Sequence, residues 1–249
     1  MKFISGKSIV FATATSLALS APVTYDTNST VQLETSLSQE VIGWSHATFP
    51  AIYQTCNETN ARMINAAYKD TAEATAYGKS RLLNYGIDDV YYKRWFGNGS
   101  IFTAMGVFDQ LMEASKGGML VRCDDVDGLC AANPDYYAGH HRDSAPTETV
   151  ICDYFYRSKK PLSTMCFEGT IVDVGPKHYA GIDMLHRYLH VPAMNMNEYI
   201  GEYGETLEEV VDFAQNNGTF AVKNVDNYLY YIADVYSSSV IPGGCLGDL

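Results

Sequence analysis

The chain has 249 residues, is 47% hydrophobic and 12% aromatic, and carries a formal net charge of −12 at pH 7. That length supports one sizeable core, and that hydrophobic content excludes a disordered chain. The acidic balance argues against a nucleic-acid partner and against charge-driven binding to anionic membranes.

The N-terminus reads as a secretory signal peptide. Lys2 and Lys7 precede an apolar run from Ile9 to Leu19, and Ala18-Leu19-Ser20 is a cleavage signature. The run is too short to span a bilayer. Cleavage after Ser20 leaves residues 21–249 as a single domain of charge about −14. An acidic exported protein attracts cations, although acidity serves solubility equally well. Residues 21–40, rich in Thr and Ser, read as a loose lead-in.

From Asn57 the pattern turns helical, with Ala61, Ile64, Tyr68 and Ala72 in helical register and Gly86 closing the segment. Asp88 to Phe96 reads as a short aromatic helix. Phe102 to Ser115 reads as another, stopped by Gly117-Gly118. Met119–Cys123 and Thr149–Cys152 read as strands, and Thr170–Val174 as a short third; Asp124 to Pro146 reads as loop. His178 to His190 forms a helix that Pro192 should end just after its last histidine. Thr206-Leu-Glu-Glu209 is a capping box opening a helix to about Gln215. Asn224 to Tyr236 is a last helix with Val225, Leu229, Ile232 and Tyr236 on one face. No repeat or linker divides the chain. The expected fold is α+β, mostly helical with a small sheet.

Six cysteines, Cys56, Cys123, Cys130, Cys152, Cys166 and Cys245, fit an oxidising compartment. The least strained pairing joins Cys123 to Cys130, Cys152 to Cys166 and Cys56 to Cys245. No C-x-x-C pair points to a cysteine metal site. Sequons at Asn28, Asn57, Asn98 and Asn217 point to glycosylation on a secretory route. Pro242 to Leu249 has no long apolar tail, so neither a lipid anchor nor a transmembrane segment is expected. The expected location is extracellular, secreted or held at the cell wall.

The chemistry concentrates in His186-Arg187-Tyr188-Leu189-His190. Histidines four apart lie on one helix face, so both imidazoles can reach one metal ion. This is the H-E-x-x-H spacing of zinc peptidases, with arginine in place of glutamate. Zinc prefers four ligands, and Asp226, at the start of the last helix, is the best third protein donor. Arg187 stands at the general-base position, but arginine keeps its proton and has no acceptor lone pair. Losing a general base costs about 10²–10⁴ in rate. Its cation is expected to hold an anion or a carboxylate beside the metal. Glu168 or Glu198 could replace the base, yet no spacing singles one out.

Weaker candidates surround this motif. His140 and His141 with Asp143 sit in a loop and read more readily as solvated. His178 and Asp183 could orient a ligand imidazole, but helix capping and surface solvation are the preferred reading. His46 is isolated. Tyr228, Tyr230 and Tyr231 read as core and rim, with Tyr230 and Tyr231 holding a minor claim to the metal site.

The pentapeptide, together with Thr149-Val-Ile-Cys-Asp-Tyr-Phe155 and Val225-Asp-Asn-Tyr-Leu-Tyr-Tyr231, resembles the fungal H-R-x-x-H group. That group comprises zinc- and pH-regulated surface proteins and pH-regulated antigens of zincophore type. The resemblance covers essentially the whole mature chain. The group in turn is similar to deuterolysin-type aspzincin metallopeptidases, in which two helical histidines and a later aspartate bind zinc. The resemblance implies a zincin (aspzincin)-like fold, Zn2+ as the bound metal, ligands at His186, His190 and Asp226, and Arg187 where those enzymes have glutamate. It also implies scavenging of extracellular zinc for a plasma-membrane zinc transporter. The tail Gly243-Gly-Cys-Leu-Gly-Asp-Leu249 lacks the histidine that several zincophores carry there. Three readings follow: a zinc scavenger without proteolysis, an active zinc endopeptidase with an unusual base, or a cell-wall glycoprotein in which zinc only holds the fold.

Overall fold

A computed structural model describes residues 48–249. The expected signal peptide and loose lead-in, His46 and the Asn28 sequon lie outside these residues.

Strand β1 (Ala51–Ile52) leads into the long helix α1 (Glu58–Tyr85). Asn57 caps α1 by accepting from the Asn60 amide, and Gly86 ends it in a positive-φ conformation. Helices α2 (Val90–Phe96) and α3 (Ile101–Glu113) follow, the latter capped by Ser100. Next come β2 (Leu120–Arg122), a short α4 (Leu129–Ala132), β3 (Gly139–Arg142) and β4 (Ala145–Ile151). The sheet runs β1-β2-β4-β3, with β1, β2 and β4 parallel and edge strand β3 antiparallel to β4. Helices α5 (Asp153–Ser158), α6 (Ile171–Val174) and α7 (Ala180–Tyr188) lead to α8 (Leu207–Asn216), α9 (Gly218–Ala221) and the last helix α10 (Val225–Val240). The fold is α+β, mostly helical with a small four-stranded sheet.

The core lies where α1, α7 and α10 meet. Helix α10 is buried from Val225 through Ser237, more than the single apolar face expected of it. Its interior polar groups are paired: Asp234 accepts from Trp95 Nε1 at 2.9 Å and from Arg94 at 2.5 Å. Helices α1 and α7 touch backbone to backbone at Gly181, where a Cβ would lie 2.5 Å from Asp70 Cβ. The Thr71 hydroxyl donates to the Gly181 carbonyl at 2.7 Å across that contact. Gly181 thus seats α7, the helix of the histidine motif, directly on α1. No helix among the described residues is long and apolar enough to cross a membrane.

Several expectations need correction. The supposed strand at Thr170–Val174 is helix α6. Thr170 and Asp173 close a capping box, which outweighs the β-branched content. The Ile171 and Val172 amides, free in any first helical turn, donate to the carbonyls of Cys245 and Leu246. The loop over Asp124–Pro146 contains α4 and β3. Helix α7 ends at Tyr188, two residues before His190, as the Leu189 and His190 amides take tighter i−3 bonds.

The disulfides differ in every pair from the sequence expectation: Cys56–Cys123, Cys130–Cys152 and Cys166–Cys245. Minimising loop length misled, because the sheet decides proximity. Cys56 and Cys123 follow parallel neighbours β1 and β2, so both emerge at the same sheet end. Cys152 donates its amide to Ala138 beside β3, which α4 packs against. Cys166–Cys245 closes 79 residues and holds the tail against α6. Replacing both of these cysteines with Ala should cost about 2–5 kcal/mol. Calorimetry should then show a midpoint lower by roughly 5–15 °C; an unchanged midpoint would mean that this closure carries no stability.

Candidate metal centre

His186, on the last turn of α7, and His190, just beyond it, bring their imidazoles together with ring centroids 4.6 Å apart. Their Nε2 atoms are 2.7 Å apart. Glu202 completes the cluster, with Oε1 2.6 Å from His186 Nε2 and Oε2 3.3 Å from His190 Nε2. The segment carrying Glu202 is tied to the start of α10. Gly201 donates to the Lys223 carbonyl, and Val225 donates back to Gly201. Asn224, fully buried, accepts from the Tyr203 and Gly204 amides and donates to the Gly204 carbonyl at 2.8 Å.

The donor chemistry fits a metal. An imidazole Nε2 offers either one hydrogen or one lone pair. His186 Nε2 faces both His190 and Glu202 within 2.7 Å, and it can satisfy only one of them. A cation among the three would use a lone pair from each. Two imidazoles and a carboxylate are a standard zinc donor set. Burial pushes His186 down to about 4, against the opposing pull of its Glu202 hydrogen bond, so it is neutral and ready to ligate. Burial alone would raise Glu202, but hydrogen bonds from both histidines pull it well below the usual carboxylate range. His186 Nδ1 is buried without a hydrogen-bond partner, a cost of about 1–3 kcal/mol.

Asp226 stands one cation away from this cluster. Lys177 Nζ lies 3.0 Å from Asp226 Oδ1, 3.6 Å from Glu202 Oε1 and 3.8 Å from Glu205 Oε2. Neither Asp226 oxygen is engaged in a well-aligned hydrogen bond, and both are buried. Burial pushes Asp226 up to about 6, with Lys177 opposing. Asp226 is thus a buried carboxylate, short of donors, beside the histidine cluster. Sequence reasoning missed Glu202. A downstream glutamate is an ordinary third zinc ligand, but Glu198, Glu202 and Glu205 were equally eligible by spacing.

Arg187 points away from the cluster into the interior. Its Nε donates to Asp183 Oδ2 at 2.8 Å, and Lys159 reaches Asp183 Oδ1 at 2.9 Å. Burial would raise Asp183, but these two cations outweigh it and hold the carboxyl below its ordinary value. Gly139 makes room for the guanidinium, since a Cβ there would lie 2.7 Å from Arg187 Nη1. The expectation of an arginine free to hold an anion beside the metal is therefore corrected. Asp183 is also no surface residue, being 2% exposed.

The remaining candidates are also placed. His140 and His141 lie on β3, not in a loop, and neighbours on a strand point to opposite faces. His140 turns to Asp127 at 3.3 Å, whereas His141 lies with its ring 5.1 Å from that of His190. Cys130, His140 and Cys152 also converge, but the two sulfurs form a disulfide and offer no thiolate. His178 and Glu168 pair with each other at 3.0 Å. Tyr230 stacks on Trp95, and Tyr231 donates to the Gly78 carbonyl in the core. Tyr228 likewise donates to Val222. The side chains of Asn57, Asn98 and Asn217 are exposed.

The HRXXH profile, described as a putative peptidase family, matches residues 5–248. The chain is 83% identical to Protein ZPS1 of Saccharomyces cerevisiae over 249 residues, all of both chains. It is 33% identical over 206 residues to the pH-regulated antigen PRA1 of Candida albicans, covering 80% of this chain and 67% of that one. Among solved structures, a zinc peptidase from Grifola frondosa superposes with a TM-score of 0.54 at 15% identity, covering 71% of this chain and 96% of that chain. The fold is therefore zinc-peptidase-like, and the chain belongs to the HRXXH putative peptidase family.

Proposed function

Starting from that membership, we propose that this protein is an exported zinc binder that holds the ion without cutting peptides. His186, His190 and Glu202 are the core ligands in this reading. Asp226 is a further carboxylate donor, held close by Lys177. The observation that carries the proposal is His186 Nε2, which faces two partners and can serve both only through a shared cation. Arg187 supports the non-hydrolytic side, because it cannot accept a proton and is committed to Asp183. Residues 1–20 serve as the signal peptide and 21–249 as one zinc-binding domain. The four sequons carry glycans, and the protein acts outside the cell or at the wall. Scavenged zinc passes to a plasma-membrane transporter, as the resemblance to zincophores implies.

Two carboxylate variants test the ligand set. Zinc titration against a competing chelator should show Glu202→Gln weakened about 100-fold, as for a lost ligand. Asp226→Asn should lose about 10-fold, as for a neighbour that tunes the site. The reverse order would make Asp226 the principal third ligand, and full affinity in both would remove the site. Casein cleavage that a chelator abolishes, and that His190→Ala also abolishes, would replace this reading with an active endopeptidase.

A further inference from the structure

His141 is a chemically competent group that the proposed ligand set does not use. It lies on edge strand β3, on the side of the sheet that meets α7. The β3–β4 ladder shifts register between His141 and Arg142. Such a bulge re-aims side chains, and bulges concentrate beside functional sites. Here the imidazole is turned toward His190, with centroids 5.1 Å apart and planes inclined by 36°.

Its two nitrogens have different surroundings. Nδ1 lies 3.3 Å from the hydroxyl of Thr149 on β4, and Thr149 is itself 4% exposed. Nε2 is buried and has no hydrogen-bond partner. A buried polar atom without a partner costs about 1–3 kcal/mol, so a ligand that satisfies it gains by doing so. When the Thr149 hydroxyl donates to Nδ1, the ring hydrogen resides on Nε2, the atom left without a partner. A buried N–H donor without an acceptor suits a carboxylate oxygen.

We infer that His141 is a further binding residue of the metal site: its Nε2–H holds a small carboxylate ligand that shares the site with zinc. The inference rests on the reading of His186 and His190 as metal ligands. It assigns a ligand class, a carboxylate such as acetate or a peptide C-terminus.

Acetate titration of the cobalt(II)-loaded protein, followed in the visible spectrum, tests this. The wild type should show a saturable spectral change. His141→Phe should bind cobalt with affinity within about threefold of wild type, but bind acetate about tenfold or more weakly, as expected for a lost hydrogen bond to a charged group. His141→Gln, which keeps an N–H donor, should recover part of the acetate affinity. Equal acetate affinity in wild type and His141→Phe would overturn the inference. So would loss of cobalt from a His141→Phe protein with unchanged near-ultraviolet circular dichroism, since His141 would then ligate the metal directly. His186→Ala separates the two levels. If it binds cobalt like wild type, the ligand reading itself fails; if it loses cobalt, a negative His141 result counts against this inference alone.

Discussion

His186→Ala is expected to abolish the zinc binding proposed for this protein. Structural zinc sites bind with about 10–16 kcal/mol shared over four ligands, so each donor contributes about 3–4 kcal/mol. That corresponds to a loss of roughly two to three orders of magnitude in affinity. His186 is the extreme case, because its Nε2 is the atom that both His190 and Glu202 converge on. Removing it leaves His190 and Glu202 3.3 Å apart, free to pair with each other. The fold should survive, since the side chain lies at the edge of α7 and is 17% exposed. Chelator competition on the folded variant checks the result. Retained affinity would eliminate the histidine motif as the binding site.

The largest stability effect is expected at Asp183. Asp183→Ala leaves the Arg187 and Lys159 cations in the interior without their shared carboxylate, with side chains 8% and 15% exposed. Breaking a buried ion pair by deleting one partner costs about 3–5 kcal/mol. For a domain of this size the thermal midpoint should fall by roughly 8–15 °C. A control separates lost attraction from stranded charge: Asp183→Leu with Arg187→Met should recover much of the loss, because an apolar replacement removes the Arg187 charge as well. The pH dependence has a definite sign. The folded Asp183 carboxyl lies below its unfolded value, so its stabilisation is present above the ordinary carboxylate range. It is lost as pH falls through the folded value. An Asp183→Ala protein as stable as wild type at pH 7 would show that the pair contributes nothing.

The helices were legible in the sequence because their signals are local. Asn57 and Thr206 cap the helices expected to open there, and Gly86 stops α1 where it was expected to. The histidine pair was legible for the same reason, since i and i+4 is a helix-surface relation. What failed depends on contacts distant in sequence. The disulfides follow strand order, which periodicity does not encode. The Thr170–Val174 segment became helical through a cap and through the tail that covers its first turn. Glu202 is brought to the histidines by the buried Asn224 clamp, a fully interior side chain in a sequence position that reads only as a helix cap. Strand β3, and with it His141, was hidden because its four residues are Gly-His-His-Arg, with no alternating apolar pattern.

The interior around Arg187 also has a consequence for how this sequence can vary. Asp183 supplies an anion below the guanidinium, Lys159 shares that anion, and Gly139 leaves space that a methyl group would fill. A glutamate at position 187, as in the H-E-x-x-H pattern, would meet Asp183 as a second carboxylate in a buried setting. Arginine and glutamate are thus separated at this position by more than one codon's worth of change. Neighbours must alter first, and each such step taken alone strands a charge or closes a gap. In this chain, exchange between arginine and glutamate at position 187 therefore faces a barrier in either direction.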